Sequence, residues 1–113
     1  MIGPEEARKA VDFLIDSAAE YAAARADQAR TENMLRVVKS LAMKASGEKS
    51  AAAQEREAYA STEYRDAITE LFEATKQAEK LRALREAARM KIEAWRSFNS
   101  NLRSAERGFG SAA

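Results

Sequence analysis

Residues 62–107 read TEYRDAITELFEATKQAEKLRALREAARMKIEAWRSFNSNLRSAER, and this stretch decides the fold. Ala67, Leu71, Ala74, Ala78, Leu81, Arg85, Ala88, Ile92, Trp95, Asn99 and Leu102 are separated by alternating steps of four and three. That spacing lines them up on one narrow stripe of an α-helix, the a and d positions of about five heptads. Neither Gly nor Pro interrupts the run. The pattern predicts a helix over 62–107 whose stripe packs on another helix. Leu71, Leu81, Ile92, Trp95 and Leu102 are its large apolar members, the expected core or oligomer seam. Arg85 and Asn99 are polar seam positions of the kind that fix register at some cost in stability. Ile68, Phe72, Leu84 and Phe98 lie beside the stripe and widen the apolar surface.

Moving toward the N-terminus, Ser61 is placed to N-cap this helix, with Glu63 in its first turn. Residues 51–60, AAAQEREAYA, read as a short helix. The segment Ser46-Gly47-Glu48-Lys49-Ser50 is the internal break, and Gly47 suits a left-handed position just past a helix end. Upstream, Pro4 with Glu5 and Glu6 opens a helix, and no breaker follows until Ala45. Val11, Leu14, Ala18 and Tyr21, then Leu35, Val38, Ala42 and Ala45, keep helical spacing. Residues 22–29 are small or polar, which allows either close backbone approach or a thin, weakly packed waist. Gly108 is expected to end the last helix, leaving 108–113 as a flexible tail.

The expected fold is therefore all-α: an antiparallel long-helix hairpin with a short middle helix, coiled-coil-like and oligomeric. It forms a single domain over residues 1–107, with helices at about 4–45, 51–60 and 62–107. Charge supports the antiparallel arrangement. Residues 1–30 carry −2 and 80–113 carry +5, while 31–49 carry +2 and 62–79 carry −3. Folding back sets opposite signs side by side, although surface pairs contribute only about 0–1 kcal/mol each.

The core is the weak point. Apolar residues are 46% of the 113, but half of them are Ala. Burial of Ala contributes little, so an isolated hairpin is expected to be marginal and a homo-oligomer is expected.

Composition removes several function classes. The chain has no His and no Cys, so imidazole acid/base chemistry, thiol nucleophiles, disulfides and thiolate or imidazole metal sites are all excluded. The glycines, at 3, 47, 108 and 110, match no phosphate-binding loop. No enzyme activity, cofactor, metal or small-molecule substrate is expected. No apolar run approaches the roughly 18 residues of a membrane span. The opening MIGPEEARKA lacks a secretion-signal pattern, and the expected location is the cytoplasm.

Three groupings remain. Arg82, Arg89, Arg96 and Arg103 recur every seven residues, with Arg85 and Arg107 near the same line. These six arginines span about 37 Å of helix. They either pair with Glu5, Glu6, Asp12, Asp16 and Glu20 of the first helix, track phosphates, or meet an acidic protein partner. Glu63, Asp66, Glu70 and Glu73 form an acidic stripe, read as a solvated face matched to Arg36 and Lys39. Trp95, with Arg96 and Phe98 beside it, is either a core residue or a stacking platform for bases. Tyr59 and Tyr64 are expected to pin the corner at Ser61 by packing.

The strings KSAAAQEREAYAS (49–61) with Glu63-Tyr64, KIEAWRS (91–97) and RSAER (103–107) resemble a family of small, mostly uncharacterised phage and prophage proteins. Genes of that family are often found near phage recombination functions such as exonucleases and single-strand annealing proteins. The resemblance covers roughly residues 49–107 and carries no activity and no residue role. It implies a phage accessory protein, located in the bacterial host cytoplasm, that acts in DNA recombination or host takeover. Its partner would be DNA or a recombination protein; from the residues themselves, the arginine edge of the last helix is the surface expected to meet DNA or an acidic protein. The competing expectation is a structural coiled-coil module of a virion with no nucleic-acid role.

Overall fold

The computed structural model describes residues 2–112 in backbone and 2–108 in side chains. Four helices follow one another: α1 (Pro4–Asp16), α2 (Ala18–Ala45), α3 (Ala51–Ala60) and α4 (Thr62–Ala112). The chain is an all-α long-helix hairpin with a short middle helix. Contacts group it into two compact units, Met1–Ala19 with Leu81–Ala113, and Glu20–Lys80, where the sequence reading expects a single domain over 1–107.

In the unit Glu20–Lys80, local chemistry sets the turns. α2 ends at Ala45, and Gly47 follows at φ 75°, the left-handed conformation that only Gly enters without strain. The Ser50 hydroxyl accepts from the Ala53 amide at 3.1 Å and starts α3. Ser61 accepts from the Tyr64 amide at 3.2 Å and starts α4. The Tyr59 and Tyr64 rings meet edge-on, with centroids 5.1 Å apart, and pin this corner as expected.

Lys39 of α2 lies 4.8 Å above the Tyr59 ring and 3.2 Å from the Glu55 carboxylate, tying α3 to α2. The Tyr59 hydroxyl donates to the same carboxylate at 2.8 Å. Contact with the Tyr59 hydroxyl, and then with Glu55, holds the Lys39 pKa above its ordinary value. Hydrogen bonds from Tyr59 and then Lys39 hold that of Glu55 below its own. Lys39 is thus engaged by α3 and does not match the acidic stripe of α4.

Across this unit Gln28 Nε2 donates to Thr75 Oγ1 at 3.4 Å, and Thr31 is buried. The Thr31 hydroxyl is satisfied by the Asp27 and Gln28 carbonyls of its own helix. Ala24 and Gln28 of the waist, with Thr31 just beyond it, are therefore seam residues.

In the other unit α1 runs antiparallel to the second half of α4. Arg85 Nη1 donates to the Leu14 carbonyl and to Ser17 Oγ, both at 2.7 Å. This contact falls at the main departure from the expected single helix over 4–45, a one-residue interruption at Ser17, whose backbone stays in the right-handed helical region. The Ser17 hydroxyl and amide both donate to the Phe13 carbonyl, at 2.6 and 2.9 Å. The Leu14 carbonyl, in the last turn of α1, is taken by a guanidinium. A side chain inserted at the helix ladder is a recognised cause of such breaks.

The second departure is at the C-terminus. α4 continues through Gly108 to Ala112, and Ala113 lies outside the described residues. Gly in a helix costs only about 1 kcal/mol relative to Ala and need not end one.

The seam of α4 follows the expected stripe. Each of its residues from Ala67 to Asn99 is buried or half-buried, while its immediate neighbours Arg82, Ala83, Glu86 and Ala87 are exposed. The facing seam is Ala7, Ala10, Leu14 and Ser17 in one unit, and Tyr21, Ala24, Gln28, Thr31, Leu35, Val38 and Ala42 in the other. Val11, Ala18 and Ala45, assigned to the stripe from sequence, are exposed. Among the described residues the buried apolar core is eight alanines and Leu81. Small side chains at these positions let the two backbones approach closely.

Candidate functional site

With the seam as a and d, Arg82, Arg89, Arg96 and Arg103 all fall at e, and Arg107 at b. In an antiparallel pair e faces e and g faces g. The acids of the first helices are elsewhere: Glu6 and Glu20 at g, Glu5 and Asp12 at f, Asp16 at c. Opposite the arginines, the register set by Arg85 against Leu14 and Ser17 brings Val11 and Ala18 instead. By heptad register the acids expected to pair across the helices thus sit off the arginine edge. Arg82 pairs with Glu86 at 3.4 Å and Arg96 with Glu93 at 2.9 Å, both within α4. Arg8 pairs with Glu5 at 2.6 Å within α1.

The six arginines are not one stripe. Arg85 is a seam residue, half-buried and directed at α1, so it leaves the partner-binding set. Glu79, Glu86 and Glu93 occupy the b positions beside Arg82, Arg89 and Arg96, so this stretch alternates in sign. After Glu93 the pattern changes. The next b positions are Ser100 and Arg107, and Arg103 sits between them. The part of the basic edge without b-position glutamates is thus confined to the end of the helix.

That end overhangs. Glu6, Lys9, Ala10 and Phe13 share a groove with Leu84, Ala87, Ala88 and Lys91, so the first residues of α1 lie opposite about residue 95 of α4. Beyond that point, among the described residues, α4 has no facing helix in its unit. From Ser100 to Gly108 every residue is exposed. Leu102, expected in the seam, is 46% exposed because the stripe outruns its partner. Phe98 is 40% exposed, while Trp95 and Asn99 remain half-buried. On this overhang Trp95, Phe98 and Leu102 form an apolar edge. Arg96, Arg103 and Arg107 form a basic edge about 130° around the helix.

Leu71, Leu81 and Ile92 are seam residues as expected, Leu81 buried and the other two half-buried. Among the described residues no three acidic side chains converge as a cation site, and no helix is long and apolar enough to cross a membrane. One surface escaped sequence reading. Met34, Val37 and Leu41 form an exposed apolar stripe on α2. Its steps of three and four are visible in the sequence, but so are those of the buried Leu35–Val38–Ala42 seam beside it.

No family model, curated protein or solved structure matches this chain.

Proposed function

We propose that this chain is a non-enzymatic helical interaction protein of phage type. It is an accessory in DNA recombination or host takeover that self-associates and binds DNA through the last turns of α4. The observation that carries this reading is the overhang, where Arg96, Arg103 and Arg107 line an exposed edge and Glu106 is the one acid among residues 95–108. Guanidinium groups in such a row fit successive phosphates. Trp95 and Phe98 lie close enough in sequence to meet unstacked bases.

The test is DNA binding at about 50 mM salt, where phosphate contacts are strongest. Arg103→Gln with Arg107→Gln should weaken binding to all sequences. It should also flatten the log–log salt dependence by roughly 0.7–0.9 for each phosphate no longer neutralised. Arg82→Gln with Arg89→Gln, outside the overhang, should change it far less. A parent protein that binds neither single- nor double-stranded DNA at that salt overturns the reading. The competing one is a structural or assembly module, favoured by the in-helix pairs Arg82–Glu86 and Arg96–Glu93.

A further inference from the structure

Self-association by a heterologous contact uses two different surfaces, and the chain displays a complementary pair. The first is the apolar edge of the overhang. Trp95, Phe98 and Leu102 are spaced three and four residues apart on a basic segment: residues 95–108 carry +2, from Arg96, Arg103 and Arg107 against Glu106. The second is a face of the unit Glu20–Lys80. There Met34, Val37 and Leu41 repeat the same three-and-four spacing, 42%, 46% and 61% exposed. At the end of that stripe Val38, Leu41, Ala42 and Ala45 line a groove of about 490 Å³ rimmed by Glu57 and Glu63.

The acidic stripe borders the same side. Met34 and Leu41 are at g and Val37 at c of their helix, while Glu63 and Glu70 are at g and Asp66 and Glu73 at c of α4. Since g faces g, apolar and acidic stripes run side by side. Residues 62–79 carry −3. Such a face fits an amphipathic helix that is apolar on one edge and basic on its flank. Each apolar stripe covers about 10.5 Å of helix, two turns.

We propose that the overhanging end of α4 of one copy seats on this α2–α4 face of a second copy. The contact is heterologous: the two surfaces are different, and each chain carries both. Apolar matching supplies the seat and opposite charge orients it. This inference rests on the self-association reading; it shares Trp95 and Phe98 with the DNA reading, and a variant of the α2 face, which leaves the overhang intact, tests it apart from DNA binding.

The test uses two variants of the full chain: Phe98→Glu with Leu102→Glu in the overhang, and Val37→Glu with Leu41→Glu on the α2 face. All four positions are exposed, so helical circular dichroism should match the parent. Light scattering at micromolar concentration should give the parent at least twice 12.5 kDa. Each variant alone should give one chain mass. An equimolar mixture should recover a species of two chains, one intact overhang on one intact face. Ala in place of Glu at the same positions should give the same order with weaker effects, a check that does not depend on tolerance of the new charge.

If the parent is associated but the mixture stays at one chain mass, or either variant keeps the parent mass, this pairing is wrong while self-association stands. A parent of one chain mass overturns both.

Discussion

Arg85→Ala should destabilise the unit formed by α1 and the second half of α4 by about 2–3 kcal/mol. The guanidinium bonds the Leu14 carbonyl and the Ser17 hydroxyl at 2.7 Å through one nitrogen. A net hydrogen bond to a charged group contributes about 1.5–3 kcal/mol. The two bonds share a donor and are not counted twice. Removing the guanidinium leaves Ser17 still bonded to the Phe13 carbonyl at 2.6 Å. The Leu14 carbonyl loses this partner at a site that is only half-buried, where water limits the penalty. Loss of the aliphatic stem adds a packing term. Urea unfolding followed by circular dichroism should show the change, and at about 4 °C per kcal/mol Tm should fall by about 8–12 °C. In a double-mutant cycle with Ser17→Ala, the two sites should couple by at least about 0.5 kcal/mol. Apolar replacement of a buried charge is sometimes stabilising. An Arg85→Met protein more stable than the parent, or an Arg85→Ala change below about 0.5 kcal/mol, would refute the assignment of Arg85 as the residue that fixes the break and the register.

Two further perturbations test other parts of the fold. Ala78 is 2% exposed in the seam, so Ala78→Leu, which a conventional coiled-coil seam would accept, should instead cost about 1–3 kcal/mol by overpacking; an equal or higher Tm would contradict the close alanine packing. At the Lys39–Glu55–Tyr59 cluster the signs run oppositely. Glu55 is depressed, so its contribution is present above its ordinary value of 4.5 and is lost as pH falls through the lower folded value. Lys39 is raised, so its contribution is complete below 10.5 and is lost as pH rises through the higher folded value. Thermal melts across pH should therefore show a plateau between these limits. Tyr59→Phe should narrow the gap between the folded and ordinary values of Glu55, so the acid-side loss should be smaller and complete at higher pH, and an unchanged acid limb would count against the hydroxyl as the main cause.

Much of the fold was legible because its determinants are local. The α4 stripe, the N-caps at Ser50 and Ser61 and the left-handed Gly47 each depend on residues within a few positions of one another. The first seam was half-legible. A count from Ala7 in steps of three and four gives Ala10, Leu14, Ser17, Tyr21, Ala24, Gln28 and Thr31, but hydrophobicity favours Val11 and Ala18. The candidate site was legible as a set of arginines but not in its sorting. Arg85 points inward, Arg82 and Arg96 are paired on their own helix, and Arg103 and Arg107 lie beyond the row of b-position glutamates.

That this chain is helical, where its short turns fall, and which stripe of the last helix is buried are all written in the sequence alone. Period, capping and left-handed glycine are properties of a few consecutive residues. Where α1 ends is a matter of tertiary contact, since the side chain that meets Leu14 and Ser17 comes from 68 residues beyond Ser17. So is the choice of which edges face each other, and with it the fate of every expected ion pair, because e and g acquire neighbours only when two helices meet in a given direction and register. Leu102 is exposed for the same reason. Its heptad position asks for burial, and whether anything lies opposite depends on where the other helix begins.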